Sequence, residues 1–317
     1  MATAAVQSSS TRKSWLLPLL YLLGGGALLG LSTNLAKLAG ETGLSPVIFL
    51  GGATLGASLI LFVVAALKRV WPPCTRRSIE YYFVSAAVGV VIPNLIFFSA
   101  VTEVGAGFVA LVIALPPLLT YIGALTLRME RFQWLRALGV LAALGGAGVL
   151  AVHKLSAPQA DIAWVLLTLL GPAALAIGNV YRTARWPAGA SADALAPGML
   201  LAATVLLVAI GFLPRTPLDI PQQDQGFVYG LIALQSVVFA GMFFLLFLLQ
   251  KTGGPVLISL LGAVGAVVGV PVAIFLQGEA APQGLAVGAG LIALGVAMLT
   301  LGQQQESKTK MATRPRA

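Results

Sequence analysis

Long, unbroken apolar runs are the feature that most limits what this chain can fold into. One of them, 46–67, reads PVIFLGGATLGASLILFVVAAL and contains no charged residue. A helix needs about 20 apolar residues to cross the hydrocarbon core of a bilayer. Only 9% of the 317 residues are charged, whereas a soluble domain carries roughly 25% charged residues. The sequence therefore predicts an all-α protein whose outer surface meets lipid.

The apolar runs predict ten membrane-spanning helices. The runs are continuous rather than alternating, and a helix satisfies its own backbone hydrogen bonds in lipid. The polar tails 1–14 and 302–317 are predicted to lie in the cytoplasm without regular structure. The predicted spans are 15–37, 46–67, 80–101, 105–127, 132–152, 160–181, 193–213, 226–249, 254–277 and 282–301.

The distribution of basic residues predicts the orientation of the chain. If the N-terminus lies in the cytoplasm, ten spans place sixteen of the 19 Lys and Arg residues, Arg182 among them, on the cytoplasmic side. Membrane proteins keep an excess of Lys and Arg in their cytoplasmic loops. The sequence therefore predicts a multi-pass membrane protein with both termini in the cytoplasm.

Two segments of the chain, 104–150 and 253–299, resemble each other. Each reads as an apolar helix, a short charged turn and a second helix with spaced glycines. A single offset aligns Glu130 with Glu279, Gly139 with Gly288 and Gly146 with Gly295. A shorter match aligns Asn34-x-x-Lys37 with Asn179-x-x-Arg182. Such self-similarity predicts two copies of one unit, 15–152 and 160–301.

Five spans in each copy have a consequence for topology. Because five is odd, the second copy crosses the membrane upside down relative to the first. Inverted repeats are typical of transporters, which bind their substrate between the two halves. The sequence therefore predicts two inverted five-helix repeats around a central cavity. Glu130 and Glu279, at the charged turns, are predicted to cap helices or pair with neighbouring Arg rather than bind substrate.

Several local patterns resemble one family of transporters. They are GLSTNLAK at 30–37, the apolar Pro-Leu segment at 114–119 followed by Met129-Glu130-Arg131, the Gly139/Gly146 helix and Gly278-Glu279. These patterns resemble the drug/metabolite transporter superfamily, specifically the EamA-type ten-helix exporters, and most of all its aromatic amino-acid exporter branch. The chain departs from a common family pattern at Gly51-Gly52-Ala53, where many members carry a basic residue.

The resemblance implies a function. It implies an exporter of small neutral or zwitterionic metabolites, with amino acids and especially aromatic or hydrophobic ones favoured, working by alternating access. An exporter of other neutral metabolites or drugs is the alternative within transport. An intramembrane enzyme is the alternative from another class, but no catalytic constellation is visible. The partners expected are a small-molecule substrate and the bilayer. The oligomeric state is not set, and a monomer is compatible with the sequence.

Polar residues inside the predicted spans are the candidates for contacting a substrate, because polar groups in lipid are costly unless they are paired or solvated. Ser and Thr more often bond their own helix, Asn34 and Asn179 could instead pair helices, and Trp164 suits an interfacial belt. Prolines at 93, 116 and 117 are predicted to break their helices and free carbonyls toward the cavity. The predicted substrate-binding residues are Asn34, Tyr82, Asn94, Ser99, Trp164, Asn179 and Gln235.

Several kinds of chemistry are missing from the sequence. No GxxxxGK[ST] loop is present, so no ATP motor is encoded. One Cys and one His exclude multi-Cys and multi-His metal sites, and no cofactor is expected. Lys and Arg do not cluster on one face, which argues against nucleic acid. No cluster of buried Lys or Arg is predicted, which argues against phosphorylated or nucleotide-sugar substrates. No Asp or Glu is predicted deep in a span, so the sequence predicts facilitated flux that is not coupled to protons.

The predicted topology can be tested at Cys74, the single cysteine of the chain. Cys74 falls in the polar segment 68–79, which the basic-residue distribution places in the cytoplasm. We expect a membrane-impermeant thiol reagent to label it in inverted vesicles and not in intact cells. Labelling in intact cells would overturn the predicted orientation.

Overall fold

The computed structural model describes residues 2–129, 131–155, 162–214, 216, 218–221, 224–281 and 284–312. Every regular element in these ranges is a helix, and a π turn at Ala87–Val91 joins α3 to α4. The helices are α1 (Ala2–Glu41), α2 (Pro46–Leu67), α3 (Arg76–Ala86), α4 (Ile92–Val104), α5 (Ala106–Val112), α6 (Pro116–Thr126), α7 (Trp134–Leu155), α8 (Ile162–Ala184), α9 (Ala192–Gly211), α10 (Gln225–Ser259), α11 (Leu261–Phe275) and α12 (Leu285–Ala312).

Seven helical stretches of the described chain are long and apolar enough to cross a membrane. They are Leu17–Glu41, Pro46–Leu67, Arg76–Val104, Ala106–Thr126, Ile162–Ala184, Ala192–Gly211 and Gln225–Thr252. Three shorter apolar helices follow the same pattern, namely Trp134–Gly146, Leu261–Phe275 and Leu285–Gly295. The chain is thus an all-helical membrane protein in its described part. The shorter helices lie in the remaining three ranges for which the sequence predicts spans.

The structure moves one predicted helix boundary. The sequence predicts a turn between spans 226–249 and 254–277, where two glycines follow Thr252. Helix α10 instead continues to Ser259, and the interruption falls at Leu260. The Thr252 hydroxyl bonds back to the Leu248 carbonyl at 3.0 Å, in the manner of a helix interior. Glycine lowers helix propensity by only about 1 kcal/mol, which the surrounding packing outweighs here.

The prediction that both tails lack regular structure is wrong over much of their length. Helix α1 begins at Ala2, and helix α12 continues to Ala312. Starting a helix is the costly step, whereas adding residues to an existing helix is nearly free. The tails contain no Gly or Pro between 2 and 17 and none between 303 and 312, so nothing in them stops the apolar helices that they adjoin from continuing.

The helices pack in a pattern that places α1 and α10 near the middle of the bundle. Helix α1 packs against α10, α11 and α4, while α2 packs against α9 and α10. Helix α4 packs against α8, and α5 packs against α11. Helices α7 and α12 form a pair that makes few contacts with the remainder. The main buried core draws most of its residues from α1, α2, α4, α5, α9, α10 and α11.

Helices α7 and α12 touch backbone to backbone at paired glycines. A methyl group on Gly146 would overlap the carbonyl of Gly288. Likewise, a methyl group on Gly295 would overlap the carbonyl of Gly139. These are the four glycines that the sequence offset aligns. Small residues let helices approach closely in lipid, where dispersion contacts rather than water exclusion hold helices together.

One carboxylate joins three separated parts of the chain at one end of the bundle. Glu279 lies in the loop after α11 and accepts hydrogen bonds from the backbone N–H groups of Ala106, at 2.6 Å, and Gly107, at 2.9 Å. Its Oε1 also lies 2.7 Å from Nζ of Lys37 on α1. The side chains of Lys37 and Glu279 are only 12% and 13% exposed. We call this set of contacts the Glu279 clasp.

The Glu279 clasp confirms the prediction that this residue caps a helix. Its carboxylate meets the first N–H groups of α5, where the helix dipole is positive. Gly105 makes the approach possible, since its φ of +87° suits glycine and a methyl group there would lie 3.1 Å from Oε2 of Glu279. The aligned residue of the first half, Glu130, lies outside the described residues.

The protein environment lowers the pKa of Glu279. Burial alone would raise it, but hydrogen bonds from Lys37, Gly107 and Ala106 and the charge of Lys37 favour the ionised form and hold the pKa below its ordinary value of 4.5. The clasp therefore makes its full contribution to stability at pH values above that ordinary pKa. Its contribution is lost as the pH falls through the lowered pKa of the folded state.

The glycine contact generates a matched pair of variants on α7. Gly146→Leu should force α7 away from α12 and lower the free energy of unfolding by about 1–3 kcal/mol. Gly145→Leu is the control, because a side chain at that neighbouring position meets no atom within 4 Å. The measurement is the thermal midpoint in detergent. Equal midpoints for both variants would mean that the glycine contact does not hold the pair together.

The clasp generates a prediction about acid stability. Glu279→Gln should lower the free energy of unfolding by about 1–3 kcal/mol at neutral pH, since it removes the ion pair and leaves Lys37 without its closest partner. The wild-type protein should lose this advantage on titration below about pH 4.5. Glu103→Gln, an exposed acid before Gly105, is the charge-matched control. A constant difference between wild type and Glu279→Gln across the titration would contradict the assignment.

Candidate functional site

A cavity lies where α1, α4, α8, α10 and α11 meet the junction of α5 and α6. Its volume is about 60 Å³, which holds a few water molecules. The walls are mostly apolar, with phenylalanines on one side. The polar side chains that line it are Ser32, Thr33, Asn94, Asn179, Arg182 and Ser259. We call this space the central cavity.

Three helix interruptions meet at the central cavity. The first is the π turn at Ala87–Val91, and the others separate α5 from α6 and α10 from α11. Pro116 stands in the first turn of α6, where its missing N–H costs nothing, and the prediction that the prolines at 116 and 117 break their span is confirmed. Pro93 follows the π turn inside a helical stretch that continues from Arg76 to Val104, so this span is distorted there but not broken.

The last two interruptions touch each other. A methyl group on Gly262, at the start of α11, would overlap the carbonyl of Ile113, at the end of α5. Both residues line the central cavity. Non-helical backbone at this depth is tolerated only where it is buried in protein or lines a polar space. The α5–α6 and α10–α11 junctions therefore bring backbone polar groups to the central cavity, where a binding site needs them.

The predicted residue Asn94 lines the central cavity. Its Nδ2 donates to the carbonyl of Val90 at 2.7 Å, so the side chain satisfies a group in the π turn one helical turn earlier. Asn94 is also one of the residues that line the central cavity. Asn94 therefore both stabilises the π turn and presents a polar group to the cavity.

The predicted residue Asn179 also lines the central cavity, where it contacts Arg182. Nη2 of Arg182 donates to Oδ1 of Asn179 at 2.6 Å. The spacing of three residues puts both side chains on one face of α8. The sequence places Arg182 among the cytoplasmic basic residues, and in the structure its side chain is buried, with 1% exposed. Helical side chains lean toward the N-terminus of their helix, and this one lies against Gly89.

The predicted residue Gln235 lies one step behind the cavity wall. It is completely buried, and its Nε2 donates to Oγ of Ser32 at 2.6 Å. Its Oε1 has no hydrogen-bond partner among the described residues. Ser32 lines the cavity, so Gln235 can orient that hydroxyl without lining the cavity itself.

Two predicted residues make structural contacts elsewhere. Asn34 donates through Nδ2 to the carbonyls of Gly30, at 2.9 Å, and of Gly269, at 3.1 Å, and so joins α1 to α11. The hydroxyl of Tyr82 donates to the carbonyl of Pro73 at 3.2 Å. Tyr82 lines a separate apolar groove between α2, α3 and α9. Neither residue lines the central cavity.

The remaining predicted residues, Ser99 and Trp164, are half-buried and do not line the central cavity either. Trp164 packs at the edge of the hydrophobic core, and its carbonyl accepts a hydrogen bond from Thr168 at 2.7 Å. The seven predicted residues therefore divide. Asn94 and Asn179 line the cavity, Gln235 lies behind it, and the other four lie apart from it.

Aromatic side chains form a cavity wall that sequence reasoning missed. Phe97, Phe98 and Phe243 all line the cavity. Phe239 supports the wall from behind, with ring centroids 6.3 Å from Phe98 and 5.4 Å from Phe243. Phenylalanine is common on lipid-facing and buried surfaces alike, so no pattern distinguishes these rings. The described residues contain no group of three or more His, Cys, Asp or Glu that could hold a metal ion.

Comparison with known proteins gives a match to a family model in sequence and matches to solved structures in fold. The EamA-like transporter family model matches residues 16–152, which is less than half of the chain. No curated protein matches the sequence. A solved structure, described only as the crystal structure of a protein, is 19% identical and superposes with a TM-score of 0.61 over 88% of this chain and 98% of that chain. The chain is thus similar to EamA-like transporters in its first half and shares its fold with that structure.

Proposed function

We propose that this protein is an EamA-type exporter of the drug/metabolite transporter superfamily. It carries small neutral or zwitterionic metabolites, most of all aromatic or hydrophobic amino acids, across the bacterial inner membrane without ATP. The observation that carries the proposal is the central cavity, where three interrupted helices meet over polar and aromatic side chains. Discontinuous helices around a mid-membrane site are typical of secondary transporters.

The pairing of the helices supports an inverted repeat within the proposed exporter. If α8 is the counterpart of α1, the contact of α1 with α11 corresponds to that of α8 with α6. Likewise, the contact of α1 with α10 corresponds to that of α8 with α4. The pairs α2 with α9 and α7 with α12 join counterparts directly. The glycine contacts of α7 and α12 are reciprocal in the same way.

The two ends of the bundle support alternating access. At the end proposed to face outward, the Glu279 clasp ties α1 to α5. At the end proposed to face the cytoplasm, Tyr81 stacks on Tyr181 with centroids 6.3 Å apart, and Trp186 packs on Phe247 at 5.9 Å. Both closures must open in turn for a solute to pass. The small volume of the cavity fits a state in which both are shut.

The cavity walls support the proposed substrate class. Phe97, Phe98 and Phe243 offer an apolar surface for a side chain, and aromatic rings packed against one another gain about 0.5–1.5 kcal/mol beyond area burial. The amides of Asn94 and Asn179 offer hydrogen bonds to a polar backbone. Transport rather than intramembrane chemistry follows from the family match and from the absence of an acid, His or Cys among the cavity-lining residues of the described chain.

Alanine substitutions test the cavity. Asn94→Ala and Gln235→Ala should each lower solute flux in liposomes by roughly fivefold to tenfold, since each bond is worth about 1 kcal/mol. Ser236→Ala is the control, because that hydroxyl bonds only within its own helix, to the carbonyl of Ile232 at 2.8 Å. Expression and monodispersity of the three variants should match. Flux equal to wild type in both amide variants would refute their role.

The proposed energetics have their own test. No carboxylate lines the cavity in the described chain, so we expect bidirectional flux directed by the substrate gradient alone. Liposomes with equal substrate on both sides should accumulate none when a pH gradient is imposed. Net accumulation driven by protons would show a coupling group, and Glu130 would be the first to mutate.

A further inference from the structure

Arg182 presents a buried positive charge to the central cavity with most of its donors unused. Its guanidinium carries five N–H donors, and one of its nitrogens, Nη2, donates to Asn179. Nε and Nη1 have no hydrogen-bond partner among the described residues. The side chain is 1% exposed and lines the cavity. Buried polar groups almost always find partners, so these two nitrogens call for an explanation.

The charge of Arg182 is also without an anion in the described chain. The ion pairs there involve Lys37 with Glu41 and Glu279, and Lys68 with Asp193. Lys37 is the residue that the sequence aligns with Arg182. Lys37 has the carboxylate of Glu279 at 2.7 Å, whereas the neighbours of Arg182 are the neutral amide of Asn179, which accepts its hydrogen bond, and the phenol of Tyr81, which interacts with its charge. The two aligned cations therefore differ in that one is neutralised by the protein and the other faces a cavity.

Burying a charge without a counter-charge is strongly unfavourable, and intramembrane cations usually mark substrate or ion pathways. Arginine holds its proton under all ordinary conditions and matches a carboxylate in shape and charge. We propose that Arg182 is the anchor for a carboxylate group of the transported solute. This inference rests on the proposed function and narrows its substrate class from neutral metabolites to those that carry a carboxylate.

The surroundings of Arg182 suit both the charged end and the apolar end of such a ligand. The guanidinium lies against the backbone of Gly89 in the π turn, where any side chain would overlap Nη1. Asn94 and Asn179 line the same cavity and supply amides for other polar groups of the solute. Phe97, Phe98 and Phe243 line it as well. An amino acid would thus place its carboxylate at Arg182 and its side chain against the phenylalanines.

The chemistry of the solute gives the sharpest test. Proteoliposomes are loaded with L-amino acids of small, aliphatic and aromatic side chain, and separately with the amide of each. The amides keep the side chain and the amine but lack the negative charge. We expect the wild-type protein to move at least one amino acid at a rate roughly tenfold or more above its amide, since hydrogen bonds to charged groups are the strong ones.

Three variants connect that preference to Arg182. Arg182→Gln should abolish the preference for acid over amide, and Arg182→Lys should keep part of it. Gly89→Ala preserves every charge but displaces the guanidinium, because the three atoms nearest to the new methyl group all belong to Arg182. It should therefore reduce the preference as well. Arg185→Gln, an exposed arginine just beyond α8, is the charge-matched control and should behave as wild type.

The outcomes separate the inference from the proposed function. Equal flux of acids and amides in the wild-type protein overturns the carboxylate anchor and leaves the exporter intact. A preference that survives in Gly89→Ala and Arg182→Gln overturns the role of Arg182. If no solute moves, the proposed function as an exporter is wrong. Equilibrium binding of the same radiolabelled amino acids in detergent then decides the anchor alone, and binding unchanged by Arg182→Gln overturns it. If Arg182→Gln does not fold, Gly89→Ala carries the test.

Discussion

The carboxylate of Glu279 is the contact on which one end of this bundle depends. It binds three groups at once: Nζ of Lys37 and the first two backbone N–H groups of α5. Without it, the N-terminus of α5 would be left with orphan donors, and a nearly buried lysine would lose its closest partner. The local glycine at 105 is a condition of this arrangement, because its positive φ brings the helix start to the carboxylate.

Glycine plays a second part farther along the chain. At the pair α7 and α12, and again between Gly262 and Ile113, helices approach so closely that a methyl group would collide with backbone. In water such contacts would compete with hydrophobic burial of larger side chains. In lipid the tails are as apolar as leucine, so close backbone contact is the better way to hold helices together. The glycine-rich composition of the second half of each repeat follows from that requirement.

Much of the fold could be predicted from the sequence because lipid leaves few alternatives. The apolar runs predict the helices. The prolines at 93 and 116 mark, respectively, the π turn and the break between α5 and α6. The position of the break at Leu260 could not be predicted, since the Gly-Gly pair before it looks like a stronger signal. Glycine propensity is a small local term, which tertiary packing outweighs here.

The candidate site was only partly predictable. The sequence shows the type of each residue but not the direction in which its side chain extends. Asn94 and Asn179 could be found because amides in spans are rare. Arg182 lies near a helix end, and sequence position alone places its charge at the membrane surface. Only the structure shows that the side chain leans back to Gly89 and into the cavity. The phenylalanine wall could not be distinguished among the 14 phenylalanines of the chain.

The π turn between α3 and α4 has a consequence for how this helix can vary. A π turn contains one residue more than the α-helical hydrogen-bonding pattern admits, and one residue corresponds to a rotation of about 100°. Tyr81 lies before the turn and Phe97 lies after it. Their angular positions around the helix axis therefore differ from those that a continuous α-helix would give them. Removing a single residue from 87–91 would restore an unbroken α-helix and swing either half of the span away from its partners. The number of residues in this short stretch, more than their identity, keeps Asn94 turned toward the cavity.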